Sequence, residues 1–269
     1  MKHLFEAWTD LQDRIQRARA VYLLFDYDGT LTPIVSRPDL ALCPPEVRRE
    51  LAELRDDSRV GVAIISGRSL EDLYGLIGVP GITYVGNHGL EIRNPAGTHT
   101  KKLSSGRQKE LTRIAKSLGA ALGNLPGIIF EDKKANLAVH YRQVPKAFHE
   151  KVFREVKEIG REWGNHWRVT EGKMVFEIQP RVDFHKGLAV RNLLKGLPEA
   201  GMLPFYFGDD RTDEDAFRFL KGGGVTVFVG PPETPSAAEY FLETPEKVAE
   251  FLKRFRATRP GKDSGAFQN

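Results

Sequence analysis

The sequence has little cysteine and no long apolar run. Cys43 is the only cysteine in 269 residues, so no disulfide can form within the chain. Without a partner thiol, the residue before two prolines reads as a small buried apolar group and not as a nucleophile. No apolar stretch approaches the roughly 20 residues that a membrane helix requires, so no membrane partner is expected. The opening "MKHLFEAWTDLQDRIQRARA" has charges throughout and no signal-peptide core; it suits an amphipathic helix over residues 1–20. Both features fit a cytoplasmic location. A long block of one charge sign is also missing. The net charge is only +4, and Lys253, Arg254, Arg256, Arg259 and Lys262 read as a solvated helix end and tail. No nucleic-acid partner is therefore expected. The polar, Gly-containing segment 257–269 reads as a flexible tail.

What is present is an ordinary globular composition, 41% hydrophobic and 28% charged, with enough length for a large core and an inserted module. The runs "VYLLF", "VGVAIISGRS", "ITYVGNHG", "PFYFGDD" and "VTVFVG" are apolar on both faces, as expected of parallel strands covered by helices on each side. Helical stretches alternate with them: "PPEVRRELAELRDD", "SLEDLYGLIG", "HKGLAVRNLLKGL" and "DEDAFRFLKG". The fold class is thus α/β, a doubly wound parallel-sheet core.

Residues 106–182 differ. Two helical patterns there are each followed by a pair of strand-like runs, "GIIFEDKKANLAVHYR" turning at 132–135 and "WRVTEGKMVFEIQP" turning at Glu171-Gly172-Lys173. Antiparallel hairpins do not belong to a parallel doubly wound sheet. This segment is read as an inserted α/β cap domain between core segments 21–105 and 183–256, with hinges near 101–106 and 179–184 marked by Gly106 and Pro180.

In open α/β sheets the site lies at the carboxyl ends of the strands. Those ends carry Asp26 and Asp28, Ser66, and Asp209, Asp210 and Asp213. Successive strand residues alternate faces, so Asp26 and Asp28 are expected on one side with Tyr27 opposite. Five acids fall within 209–215, and carboxylates this close resist joint ionisation. A hard divalent cation resolves the conflict, and Mg²⁺ with one or two carboxylates plus phosphate oxygens is the usual arrangement. With it, one aspartate of the first pair can attack phosphorus and the other can move the proton. Ser66, Gly67 and the helix start beyond them can hold phosphate oxygens. Lys186 can neutralise nucleophile and phosphoryl group together.

These segments resemble the haloacid dehalogenase superfamily, with "DYDGT", "ISGR", "HKG" and "GDDRTDED" as its four motifs. By position the resemblance implies Asp26 as nucleophile, Asp28 as general acid/base, and Ser66 and Lys186 on the phosphoryl group. It implies Mg²⁺ held by Asp26, the carbonyl of Asp28 and Asp209, with Asp213 and Asp210 in support. A narrower set, "FDYDGTLTPI", "ISGRS", "GNHGLEI", "HYR", "EGKMVFEIQP" and "GDDRTDEDAF", is similar to the trehalose-6-phosphate phosphatase family. That resemblance implies hydrolysis of trehalose 6-phosphate, a small-molecule sugar-phosphate substrate, a cap that closes over it, and a trehalose-6-phosphate synthase as a separate chain. Lys173 and Glu177 match the family's sugar-contacting positions; Arg142, Glu131, Asn87 and His88 are further candidates for the substrate. A disaccharide offers hydroxyls, which carboxylates and charged donors recognise. Lys173 and Glu177, four apart, would share one face of a strand. His140 and His185 read as structural. Sucrose 6-phosphate or mannosyl-3-phosphoglycerate hydrolysis, sugar phosphomutation, and a non-catalytic sugar-phosphate sensor stay open as alternatives.

Overall fold

The computed structural model describes residues 1–100, 103–133, 136–181, 185–195 and 201–258, without the side chains of His88 and Thr100. The expected core restart at Asp183, parts of both hinge segments and most of the tail lie outside these residues.

In chain order the elements are β1 (Lys2–His3), α1 (Trp8–Arg17), β2 (Ala20–Phe25), α2 (Pro45–Arg55), β3 (Val60–Ile65), α3 (Leu70–Ile77), β4 (Thr83–Gly86), β5 (Glu91–Asn94) and β6 (Gly97–Thr100). The insert follows with α4 (Ser105–Leu122), β7 (Ile129–Asp132), β8 (Leu137–His140), α5 (His149–Glu162), β9 (Trp167–Gly172) and β10 (Val175–Pro180). The chain then continues through α6 (Lys186–Leu194), β11 (Met202–Gly208), α7 (Glu214–Leu220), β12 (Val225–Val229), β13 (Tyr240–Leu242) and α8 (Pro245–Ala257). Two compact units result, Met1–His99 with Phe184–Asn269, and Thr100–Asp183.

The first unit is built on a sheet of order β1-β13-β12-β11-β2-β3-β4-β5-β6. Pairing is parallel from β1 to β4 and antiparallel at β4–β5. The strands are apolar on both faces because both faces are covered. Val21, Leu23, Phe25, Phe205 and Phe207 pack with Leu11 and Ile15 of α1, Val47 and Leu51 of α2, Leu73 and Ile77 of α3, and Phe251 and Phe255 of α8. The alternate positions Leu24, Tyr206 and Phe228 face Ala189 and Val190 of α6 and Phe217 and Leu220 of α7. This alternation decides which helices meet the acids at the strand ends. The doubly wound α/β expectation holds, with β5, antiparallel to β4, and then β6 added at one edge and the two-residue β1 at the other.

In the second unit, the antiparallel sheet β7-β8-β10-β9 has one apolar face. Leu137, Val139, Phe176, Ile178 and Trp167 pack against Leu111, Ile114 and Leu118 of α4 and Val152, Val156 and Ile159 of α5. The period of two then sends Glu131, His140, Glu177 and Gln179 to the opposite face. The β9–β10 turn falls one residue later than the sequence suggested. Gly172 ends β9, and Lys173 and Met174 form the turn, with Met174 at φ 67°. Lys173 is therefore in a turn, not on a strand, and shares no strand face with Glu177.

Candidate active site

β2 ends at Phe25, so Asp26 and Asp28 lie in the loop beyond it, and their side chains take different partners. Asp26 keeps the facing of Leu24, toward α6. There Lys186, the first residue of α6, places Nζ 2.8 Å from Asp26 Oδ1 and 2.8 Å from Asp213 Oδ1. His185 caps this helix by accepting the Leu188 amide on Nδ1 at 3.2 Å, which fixes where Lys186 leaves it. Asp26, Lys186, Asp209 and Asp213 are all buried. Burial pushes the Asp26 carboxyl well above the usual carboxylate range, against the pull of Lys186; Asp213 and Asp209 push in the same direction as burial. Burial works against the Lys186 charge, but Asp213 and Asp26 outweigh it and hold the ammonium protonated.

Asp213, the residue before α7, accepts four hydrogen bonds. Lys186 Nζ donates to Oδ1 at 2.8 Å and the Tyr206 hydroxyl at 2.7 Å. The amides of Asp209 and Asp210 donate to Oδ2 at 3.1 and 3.0 Å. One carboxylate oxygen from each of Asp26, Asp209 and Asp213 lies within 4.8 Å of the others. Gly29, at φ +85°, is required beside this cluster, because a Cβ there would come 2.0 Å from Asp209 Oδ2. The hard oxygen donors and the glycine cradle fit a divalent cation such as Mg²⁺, with Asp26 and Asp209 as the carboxylates best placed to hold it. Asp213 is already saturated, so it fits the supporting role.

Asp28 is held by a residue to which sequence reasoning gave no role. Arg68 donates from Nε to Asp28 Oδ2 and from Nη2 to Asp28 Oδ1, each at 2.7 Å. The same guanidinium reaches Asp72 Oδ2 at 2.9 Å and the Pro38 carbonyl at 2.9 Å, and it sits 5.5 Å from the Tyr27 ring centroid. Ser66, at the end of β3, is buried and accepts the Arg68 amide on Oγ at 3.2 Å, which leaves its own proton to donate. The helix cap is Ser69, which accepts the Asp72 amide at 3.1 Å. Asn87 donates from Nδ2 to Glu91 Oε2 at 3.0 Å, and the same oxygen accepts the Leu70 amide at 2.8 Å. Asn87 thereby ties the end of β4 to the start of α3. His88 as a substrate contact lies outside the described side chains.

On the polar face of the second unit, Glu177 gathers three donors: Lys133 Nζ at 2.9 Å, Asn136 Nδ2 at 3.2 Å and Gln179 Nε2 at 2.7 Å. Glu131 lies beside them, 3.8 Å from Lys133 Nζ and 2.8 Å from His140 Nε2. Burial raises the Glu131 carboxyl, but the His140 hydrogen bond and the Lys133 charge hold it below its ordinary range. Arg142 and Lys173 meet elsewhere, through a 2.7 Å hydrogen bond from Arg142 Nη2 to the Lys173 carbonyl. Glu131 and Glu177 are thus brought together, while Lys173 is not part of their cluster. His140, expected to be structural, contacts Glu131. Lys133, Asn136 and Gln179 went unassigned, although a lysine between two hairpin strands was visible in "FEDK". Cys43 is buried, and burial pushes its thiol up to about 11, as suits an inert group.

The family model described as trehalose-phosphatase matches residues 24–246. Trehalose-phosphate phosphatase of Mycobacterium bovis is 37% identical over 244 residues, covering 88% of this chain and 61% of the relative. That of Mycobacterium ulcerans is 38% identical over 239 residues, covering 86% and 60%. The chain therefore spans about three fifths of the length of these relatives. Among solved structures, the C-terminal domain of Candida albicans trehalose-6-phosphate phosphatase superposes with a TM-score of 0.81 at 26% identity, over 94% of this chain and 98% of that one. A haloacid dehalogenase-like hydrolase from Bacteroides thetaiotaomicron, at 17% identity and a TM-score of 0.65, shares the fold.

Proposed function

The chain belongs to the trehalose-phosphatase family, and from that premise we propose that it hydrolyses trehalose 6-phosphate to trehalose and phosphate. The observation that carries the reading is Lys186 bridging Asp26 and Asp213 at 2.8 Å each, beside Asp209 at the strand ends. A buried lysine shared by two acids is an electrostatic device suited to a phosphoryl group.

In the proposed course, an Asp26 carboxylate oxygen attacks phosphorus as the bond to the sugar oxygen breaks. Asp28 gives its proton to that oxygen, so the sugar leaves as an alcohol. Asp28, now a carboxylate, takes a proton from water; the hydroxide oxygen bonds to phosphorus and the Asp26–phosphorus bond breaks. Phosphate leaves and both aspartates return to their starting states. Lys186 balances charge on Asp26 and on the phosphoryl oxygens throughout, and Ser66 and Gly67 donate to those oxygens. Mg²⁺, held by Asp26, the Asp28 carbonyl and Asp209 with Asp213 in support, would supply further charge neutralisation on the phosphoryl group. Arg68 holds Asp28 through both oxygens, so proton transfer requires one of them to be released.

The disaccharide is assigned to Glu131 and Glu177, with Arg142 and Lys173 as further contacts and Asn87 and His88 at the core. Half-buried carboxylates already oriented by Lys133, His140 and Gln179 suit sugar hydroxyls, and a site built to bond a hydroxyl rejects an analogue that lacks it. No helix among the described residues is long and apolar enough to cross a membrane. A cytoplasmic setting, with a trehalose-6-phosphate synthase supplying the substrate, completes the proposal. Phosphate release should be measured with trehalose 6-phosphate, sucrose 6-phosphate, glucose 6-phosphate and mannosyl-3-phosphoglycerate. Preference for trehalose 6-phosphate is expected, lost in Asp26→Asn and after chelation. Equal turnover of the panel would overturn the substrate, and an active Asp26→Asn variant would overturn the mechanism.

A further inference from the structure

Tyr206 is fully buried on β11, between Phe205 and Phe207, with its ring edge-on to Phe217 at 5.7 Å. A phenylalanine would fill the same apolar space. A hydroxyl buried there is costly unless it is bonded, and this one has a specific partner, Asp213 Oδ1 at 2.7 Å. The strand end makes room for the carboxylate it meets: a Cβ on Gly208 would lie 2.3 Å from Asp213 Cγ.

The four hydrogen bonds to Asp213 divide by oxygen. Tyr206 and Lys186 take Oδ1; the Asp209 and Asp210 amides take Oδ2. A carboxylate has about four acceptor sites, so this set is complete. Rotation of the carboxylate would break contacts on both oxygens at once. Loss of the hydroxyl would leave Lys186 as the one described side chain on Oδ1 and draw the ammonium toward Asp213, away from Asp26.

We propose that Tyr206 is a positioning residue that acts through Asp213, setting the 209–210 backbone and the sharing of Lys186 between Asp213 and Asp26. The inference rests on the reading that Asp26 and Asp209 hold a divalent cation.

The test compares Tyr206→Phe with Tyr84→Phe. Tyr84 is also fully buried, and its hydroxyl bonds the Val79 carbonyl at 2.7 Å and accepts the Val79 amide at 3.0 Å. Both variants lose one buried hydroxyl and should melt at similarly lowered temperatures. Titration calorimetry with MgCl₂ alone should show Tyr206→Phe binding about five- to tenfold more weakly, a fraction of the worth of one hydrogen bond to a charged group because the effect is indirect, and Tyr84→Phe unchanged. With trehalose 6-phosphate, Tyr206→Phe should lower kcat by about tenfold and leave KM within about twofold. In an Asp213→Ala background the hydroxyl has no side-chain acceptor left to act through, so the double variant should bind Mg²⁺ no more weakly than Asp213→Ala alone. A Tyr206→Phe variant matching Tyr84→Phe in Mg²⁺ affinity and kcat would overturn the inference, as would a further loss in the double variant. If the unaltered chain itself binds no Mg²⁺, the metal reading falls first and takes this inference with it.

Discussion

Arg68→Lys and Arg68→Gln separate charge from geometry at the proposed proton-transferring carboxylate. Arg68 is only 6% exposed and makes four side-chain hydrogen bonds of 2.7 to 2.9 Å, two to Asp28, one to Asp72 and one to the Pro38 carbonyl. Breaking a buried ion pair costs roughly 3–5 kcal/mol. Here the Asp28 and Asp72 side chains are 35% and 38% exposed, so water compensates part of the loss. We expect a loss of about 2–3 kcal/mol for Arg68→Gln, or a melting point about 5–10 °C lower for a chain of this size. Lysine restores a point charge but not the planar fork, so it should recover only part of that.

The catalytic effect should split in a way that stability alone does not. The Arg68 side chain bonds the proposed acid/base and no side chain assigned to the sugar; its backbone carbonyl, which accepts the Asn87 amide at 2.7 Å, is kept in both variants. Arg68→Gln should therefore lower kcat for trehalose 6-phosphate by about ten- to hundredfold, within the usual worth of general acid–base catalysis, and leave KM within about threefold. Arg68→Lys should fall between parent and glutamine in melting point but close to glutamine in kcat, because lysine cannot hold both oxygens of Asp28. Thermal melts and steady-state phosphate release read both quantities. A glutamine variant with parental kcat would refute the view that the fork orients Asp28. A variant with raised kcat would also refute it, by making Arg68 a restraint on the acid/base instead of its support.

Three further outcomes follow from single contacts. Gly29→Ala places a Cβ at φ +85° and 2.0 Å from Asp209 Oδ2; left-handed backbone alone costs about 1–2 kcal/mol, so phosphate release should fall far more than the melting point does. Arg256→Ala strips Glu50, 1% exposed, of its 2.7 Å partner between α8 and α2; unfolding should show a loss of about 1–3 kcal/mol with turnover at low temperature intact. Glu131 has its folded carboxyl lowered, so its contribution to stability is present above the ordinary glutamate value and is lost as pH falls through the lowered folded one. Melts across about pH 6 to about pH 3 should therefore fall less steeply in Glu131→Gln than in the parent.

The parallel strands were legible because they are covered on both faces: Val21–Phe25 and Val225–Val229 read as unbroken apolar runs, and acids stand out at strand ends. β1 was not legible, since two residues carry no period, and its pairing with β13 joins segments about 240 residues apart. Lys173 was misplaced for a local reason. Gly172 looked like the turn residue, but the chain puts the positive φ at Met174, which shifts the turn past the glycine. Arg68 and Tyr206 were hidden differently. Both sit in quoted motifs, but a fork across 40 residues and a hydroxyl aimed at a neighbouring loop leave no spacing signal. A buried arginine beside a capped helix and a tyrosine in a run of phenylalanines were the available hints.

Asp26, Asp209 and Asp213 are three buried acids, and Lys186 brings one positive charge to them. Lys186 divides its charge between Asp213 and Asp26, and the second oxygen of Asp213 is occupied by two amides. Burial raises the Asp26 carboxyl, and the charges of Asp213 and Asp209 add to it against the pull of Lys186. Protons or a divalent cation would relieve this crowding of like charge. Protons would remove the nucleophile that the proposed chemistry needs, because a neutral carboxyl does not attack phosphorus. A divalent cation held by Asp26 and Asp209 would leave both ionised and, in the proposed reaction, would supply positive charge to the phosphoryl group. Asp28 falls outside this balance, since Arg68 compensates it separately. The loop "DYDGT" therefore holds two carboxylates in two electrostatic environments, and Asp28 would take up a proton only once Arg68 releases one of its oxygens.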